Sequence, residues 1–346
     1  MPIFDFPKFH LFMFLAADKL RNISLLLLLA SLLAACQPIT TDQGQDVKRS
    51  PSSTEPKQSE ELTQLLTTIP SAKPGHYAPE TAEQLGALLD KLYQDARQGE
   101  YALQVPRVFL QDVSTTWLYI NATRPVQFKK TQFFRLMLPL VLQSNLAILS
   151  ERRSAATLSL KSKPFKELCI KYGVITRKAL SKGEKLTSKH RTQLLRRVDI
   201  VPPSLALAQA AEESGWATSR FTLEGNALFG QWDFSGKGMI PKEQRTELGN
   251  YGLARFKSPL DSVKGYMLNL NRNRAYAKLR QLRHQNRMLR KPSTGLALAT
   301  TLDKYSERGQ HYVDGVQSLI RYNKLQKYDE AVLANSSSQL SYYIYL

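Results

Sequence analysis

From Pro202 to Gly215 the chain reads Pro-Pro-Ser-Leu-Ala-Leu-Ala-Gln-Ala-Ala-Glu-Glu-Ser-Gly, and Trp216 follows. The two prolines bar a helix upstream, and Ser204 is a good N-cap. The residues after it are strong helix formers whose small side chains let neighbours approach closely. Gly215 supplies the stop. A helix of this composition is buried along its body, so the rest of the chain must pack around it. Glu213 falls in its last turn. A carboxylate there faces the negative end of the helix dipole, and burial further disfavours its charge. Both effects raise its pKa, which suits a general acid working near neutral pH. On the residues alone, a solvated Glu212-Glu213 helix end remains the alternative.

The 346 residues leave room for one or two domains. Forty-eight basic residues against 29 acidic ones give a net charge of +19. That balance points to an acidic partner: nucleic acid, anionic lipid or carboxylate-rich peptides. No nucleic-acid module accompanies the charge, and the basic residues spread from 129 to 327 instead of forming an arm. No nucleic-acid partner is therefore expected; a basic surface with no partner stays open.

Leu25 to Leu33 is almost wholly apolar, follows Lys19 and Arg21, and runs into Leu33-Ala34-Ala35-Cys36. A basic flank, a short apolar core and small residues at the cut describe a secretory signal, too short for an ordinary membrane span. A start at Met13 would make it more regular still. Leu-Ala-Ala-Cys resembles the bacterial lipobox, which implies a lipidated Cys36 as the mature N-terminus. Gln37 after it resembles the pattern of lipoproteins sorted to the outer membrane. The implied location is the cell envelope, anchored by lipid and facing the periplasm. Cys169 is the one remaining thiol, so no intramolecular disulfide is expected, and its apolar neighbours mark it as a small core residue.

Five segments are expected. Residues 1–36 are the lipoprotein signal. Residues 37–75, rich in Thr, Gln, Ser, Pro and Lys, form a disordered tether. Residues 76–195 form a helical N-terminal region. It has a helix to about Arg97, an extended stretch from Val105 to Val113 interrupted by Pro106, and a long helix over 126–152 containing Pro139. The apolar face of that long helix is assigned to the core against the Glu213 helix. Short helices over 165–172 and 187–198 follow, with a turn at Lys182-Gly183-Glu184. Residues 196–325 form the main domain: the Glu213 helix, a glycine-punctuated β-hairpin lobe around 231–256, then helices from Asp261, as cap, to Arg272, and over 275–290, 293–305 and 310–323. Residues 326–346 are a C-terminal tail whose last stretch, Ser336 to Leu346, is apolar and aromatic without a clear context. The fold class is α+β, mainly helical.

Ala-Gln-Ala-Ala-Glu-Glu-Ser-Gly-Trp, followed at the right spacing by Asn226-Ala-Leu-Phe229-Gly230, resembles the catalytic segment of the bacterial glucosaminidases, glycoside hydrolase family 73. The resemblance covers 196–325, and the flanking sequence resembles the bacterial Bax-type branch of that group. It implies a lysozyme-like fold in which glycan crosses a groove between a helical lobe and the hairpin lobe. It also implies that Glu213, directly before Ser-Gly-Trp, is the acid. Ala217 departs from the family, which usually has glycine there.

Glycoside cleavage needs an acid and, classically, a second group to attack or stabilise the sugar. Glu247 is the candidate by resemblance, with Glu243 as runner-up; an exposed hairpin carboxylate, or a substrate acetamido group acting as nucleophile, are the alternatives. Tyr305 resembles the tyrosine that completes these sites, and Tyr312 the second tyrosine of that segment. Trp216, Phe229 and Trp232 offer flat faces for sugars, though Trp216 equally suits packing at the helix end. Asn226 is expected to fix the loop over the acid. No metal or cofactor is expected: His10, His76, His190, His284 and His311 form no ligand pair, and no phosphate-cradling loop is present. The expected function is an endo-β-N-acetylglucosaminidase cutting the β-1,4 bond after N-acetylglucosamine in peptidoglycan. A lytic transglycosylase using the same Glu, or a non-catalytic glycan-binding envelope lipoprotein, are the competitors.

Overall fold

The structure, a computed structural model, describes residues 75–96, 103–241, 251–334 and 341–346. The signal, Cys36, the tether, and both Glu243 and Glu247 lie outside the described residues. A strand β1 (Gly75–Tyr77) precedes helix α1 (Ala82–Ala96) and strands β2 (Gln104–Val105) and β3 (Val108–Asp112). Helices α2 (Thr115–Asn121), α3 (Val126–Thr157), α4 (Lys163–Lys171), α5 (Arg177–Ser181) and α6 (Ser188–Arg197) follow. Next come α7 (Pro203–Ser214), α8 (Arg220–Gly225), β4 (Trp232–Asp233) and β5 (Gly252–Leu253). After them run α9 (Pro259–Arg272), a 3-10 turn (Arg274–Tyr276), α10 (Ala277–Met288), α11 (Gly295–Ala299) and α12 (Gln310–Tyr322). A 3-10 turn (Leu325–Tyr328), β6 (Val332–Leu333) and β7 (Tyr342–Tyr345) end the chain.

Helix α7 is the centre of the core. Every residue from Pro203 to Ala211 is buried, and α3, α11, α12 and the second 3-10 turn pack around it. Its start differs from expectation. Pro202 occupies the N-cap and Ser204 lies inside the first turn. Proline at N1 can open a helix because it has no N–H to satisfy. The cap is supplied from far along the chain. Asp329 accepts from the Ser204 amide and hydroxyl, both at 2.8 Å, and from the Gly295 amide at 3.2 Å. One carboxylate thus joins the starts of α7 and α11. Gly295 is required by this approach, since a Cβ there would lie 2.1 Å from Ser204 Oγ.

Helix α3 is long and apolar enough to cross a membrane, but 67% of its most apolar stretch is buried in protein, as its core assignment requires. It runs through Pro139, whose missing N–H leaves the Arg135 carbonyl without its usual helical donor. The Tyr93 hydroxyl of α1 donates to that carbonyl at 2.7 Å instead. Cys169 is fully buried, and burial pushes its thiol up to about 11, an inert core side chain.

The tail is part of the fold. Strand β7 lies between β1 and β3, parallel to both, and β6 pairs with β2. Pro106 separates β2 from β3, and β3 is an edge strand, where a proline beside it is tolerated. The hairpin lobe is small: β4 pairs antiparallel with β5, and Met239 bridges Leu253. Gly238 and Gly252 face each other so closely that a Cβ on either would sit 2.8 to 2.9 Å from the other's backbone.

Three further expectations need correction. Ser258, not Asp261, caps α9; its side chain accepts from the Asp261 amide, and the helix starts at Pro259. A short helix, α5, was not expected; Thr176 caps it. The helix expected over 293–305 stops at Ala299, because the Thr300 and Thr301 hydroxyls turn back to the carbonyls of Ala297 and Leu298. The chain from there to Gly309 is a run of turns that carries Lys304 to Arg308 to the site.

Candidate active site

Helix α7 ends at Gly215 with φ 56 and ψ 47, the left-handed region expected of a C-terminal glycine. Trp216 and Ala217 continue in that region at φ 62 and 65. Their strain is offset by Ser214, whose hydroxyl accepts from the Ala217 amide at 2.8 Å while donating to the Ala210 carbonyl at 2.6 Å. Glycine would take this backbone freely, whereas an L-residue at 217 costs about 1–2 kcal/mol. This tight turn leaves Glu213 at the mouth of the helix end, half-buried.

A cleft of about 670 Å³ opens on Glu213. Gly230, Trp232 and Tyr251 line its hairpin side, and Tyr305 and Arg308 its helical side. Gly230 has φ 60, and a Cβ there would stand 3.1 Å from Glu213 Oε2, so the glycine keeps space over the carboxylate. Trp232 is 55% exposed, lines the cleft and meets Tyr251 at a steep angle, with ring centroids 4.8 Å apart.

Burial raises the Glu213 carboxyl above the ordinary glutamate value. The Tyr312 hydroxyl, hydrogen-bonded to it, opposes the shift; the Glu212 charge adds to it and Arg308 subtracts. A chain of polar groups stands behind this carboxyl. Tyr266 donates to Gln209 Oε1 at 2.7 Å, and Gln209 Nε2 donates to the Tyr312 oxygen at 2.8 Å. With its oxygen already accepting, Tyr312 turns its proton to Glu213. Arg308 holds the neighbouring Glu212 at 2.6 Å and stacks over the Tyr312 ring at 5.2 Å. The two adjacent glutamates are therefore separated in role: one is paired with a cation, the other stands beside a phenol in a half-buried cleft.

Removing the phenol tests this balance. Tyr312→Phe deletes a donor that favours the ionised form, so the Glu213 carboxyl moves further up. The limb of activity lost as pH rises should then shift to higher pH, because the acid stays protonated longer. A pH profile of kcat/KM checks it; an unmoved limb, or one shifted to lower pH, would contradict the contact.

The structure brings Glu213, Trp232, Tyr305 and Tyr312 together. Tyr305 lines the cleft, stacks on Tyr312 at 5.3 Å, and gives its hydroxyl to the Phe229 carbonyl at 3.0 Å. Tyr312 is fully buried, so it addresses the acid and not the sugar. Two aromatic residues named as sugar platforms lie elsewhere. Phe229 is 1% exposed and stacks on Tyr266 at 4.0 Å, inside the core. Trp216 packs edge-on against Phe133 and Phe134 of α3, with Lys130 over its ring at 5.0 Å. It is the packing residue of the helix end. Asn226 ends α8 in the left-handed region, accepts from the Val113 amide at 3.3 Å and donates to the Phe256 carbonyl at 3.4 Å. It ties the loop before Gly230 to the end of β3.

Gln209, Tyr266, Arg308 and Tyr251 were not singled out from sequence. Gln209 carried a signal: it stands four residues before Glu213, on the same helix face, as the polar member of a run of alanines and leucines. Among the described residues, no group of His, Cys, Asp or Glu is arranged to hold a metal ion.

A raised carboxyl at the end of a buried helix, facing an open cleft with an aromatic platform, is the arrangement of a glycosidase-type site. Residues 188–325 match the glucosaminidase family model, described as mannosyl-glycoprotein endo-beta-N-acetylglucosaminidase. The chain is a glucosaminidase-domain protein with a mainly helical α+β, lysozyme-like fold. It is similar to Protein bax of Escherichia coli (strain K12), with 31% identity over 191 residues. That stretch spans 53% of this chain and 66% of the relative, just under two thirds of its length. No solved structure matches.

Proposed function

We propose that the protein is a peptidoglycan hydrolase, an endo-β-N-acetylglucosaminidase that cuts the β-1,4 bond after N-acetylglucosamine, with Glu213 as general acid. The observation that carries the reading is the Glu213 carboxyl: raised by burial, open to the cleft and held by Tyr312. A protonated carboxyl there can deliver its proton to the glycosidic oxygen. The exposed ring of Trp232 suits a sugar ring at its edge. The glucosaminidase family match supports the substrate class. The second group, Glu247 by resemblance, belongs to the same proposal.

The test is mass spectrometry of the products released from purified sacculi. Reducing N-acetylglucosamine ends are the expected result. Anhydromuramyl ends would replace the hydrolase with a lytic transglycosylase, and binding without any new ends would leave a non-catalytic glycan binder.

The reading includes an envelope location with Cys36 as the lipid anchor, on the strength of the lipobox-like Leu33-Ala34-Ala35-Cys36. Cys36→Ser should abolish labelling by a palmitate analogue. Equal labelling of variant and wild type would remove the anchor from the proposal.

A further inference from the structure

A second hollow of about 740 Å³ lies behind one wall of the cleft. Arg177, Arg197, Arg272 and Arg274 line it, together with Gly265 and Asn269. Two links join it to the catalytic region. Gly265 is packed against Gln231, so closely that a Cβ would lie 2.8 Å from Gln231 Nε2, and Gln231 directly follows the Gly230 that stands over Glu213. The Asn269 side chain is hydrogen-bonded to Tyr276, and the Tyr276 ring lies 5.8 Å from that of Tyr305 in the cleft. Gln231, Asn269 and Tyr276 therefore stand between the two.

The arginines converge. At Gly173, φ +67, a Cβ would lie 3.2 Å from both Arg197 Nη1 and Arg272 Cγ, and 3.3 Å from Arg272 Nε. This glycine is the floor on which two guanidinium groups meet. Arg197 Nη1 donates to the Tyr172 carbonyl at 2.7 Å and the Arg272 carbonyl at 3.3 Å, which fixes it in place. Arg177 is held by Glu167 through two bonds of 2.7 and 3.2 Å. Among the described residues, no carboxylate stands at ion-pair distance from Arg197, Arg272 or Arg274. Burial, and then the charge of Arg272, lower the proton affinity of Arg197. Like charges brought together without an acid between them repel, and an anion seated among them removes that repulsion.

We propose that this arginine basin binds the carboxylates of acidic peptide branches carried on the glycan, beside the bond being cut. The proposal rests on the glycan-cleaving reading of the cleft. A peptide attached to a sugar lying in the cleft has to leave it over a wall, and the wall of Gln231, Asn269 and Tyr276 leads to the arginines. Guanidinium forks take carboxylates in paired hydrogen bonds.

The test uses the double variant Arg272→Gln/Arg274→Gln, both positions being exposed, and the charge-matched control Lys161→Gln/Lys185→Gln at exposed sites elsewhere. On peptide-bearing glycan strands the arginine variant should show kcat/KM reduced about tenfold, as expected for the loss of one or two charge-assisted hydrogen bonds, carried by KM. On strands stripped of peptide by an amidase it should match wild type, and the lysine control should match wild type on both. Equal losses on both substrates, or equal losses in the control, would overturn the proposal. Calorimetry with the synthetic tripeptide L-Ala-D-Glu-diaminopimelate and Glu213→Gln protein reads the basin without any cleavage. Binding that disappears when Arg272 and Arg274 are also replaced supports the basin even if the cleft proves inactive. Absence of binding at millimolar tripeptide sinks it even if the cleft proves active.

Discussion

Glu213→Gln should lower glycan cleavage by at least about 10²–10⁴-fold, the usual contribution of a general acid, while leaving the thermal melt close to that of wild type. The amide is nearly isosteric and can still accept from Tyr312, but it has no proton to deliver. Glu212→Gln should be far milder. Its side chain points about 100° further round the helix and is paired with Arg308 outside the path of the proton. Sugar release from purified sacculi by the two variants checks both statements. Activity in Glu213→Gln equal to wild type would remove the assignment of the acid, and loss in Glu212→Gln alone would move it by one residue.

The second large effect is on stability. Asp199 is buried and leads the chain into α7. Its carboxylate accepts from Arg287 Nε at 2.7 Å and from Arg287 Nη2, and stands 3.6 Å from Arg152. Its backbone carbonyl accepts from Arg283 at 3.1 Å and from Asn271 at 2.9 Å. Burial pushes the Asp199 carboxyl up. The bond to Arg287 and the charges of Arg283, Arg152 and Arg287 together outweigh this and hold it below the ordinary aspartate value. Asp199→Asn leaves those arginines facing one another, and breaking a buried pair costs about 3–5 kcal/mol. Because Arg287 keeps 43% of its side-chain exposure, the lower end, about 3 kcal/mol, is expected.

The sign with pH follows from the depressed value. The stabilisation is fully present above the unfolded aspartate pKa, about 3.9, and is lost as pH falls through the lower folded value. Urea denaturation at pH 7 should therefore separate variant from wild type, and the gap should close in acid. A difference below about 1 kcal/mol at pH 7 would mean that solvent already carries the arginines.

The helical frame was legible because it is written in short-range pattern. The Ala/Leu run of α7, its glycine stop and the apolar face of α3 follow from neighbours three and four residues apart. What escaped depends on distant partners. Ser204 is the best local candidate for a cap, yet the capping carboxylate belongs to Asp329, 125 positions away. The tail looked purposeless because the partners of β7 are β1 and β3, near the other end of the described chain. The three aromatic residues beside the motif look alike in sequence. Tyr266 takes Phe229 and α3 takes Trp216, leaving Trp232 to face the cleft. Gln209 could have been found, since a polar side chain on the Glu213 face of a buried helix must have a partner.

The most direct test of Glu213 as the acid is the dependence of its variant on the leaving group. A natural glycan leaves as an alkoxide and needs a proton; a dinitrophenyl glycoside of N-acetylglucosamine oligomers leaves as a stable phenolate and does not. Both are to be turned over by wild type and Glu213→Gln under the same conditions, and kcat/KM compared. The expected result is a loss of about 10²–10⁴-fold on the natural bond and near-wild-type turnover of the activated one. Equal loss on both substrates would contradict a proton-donating Glu213.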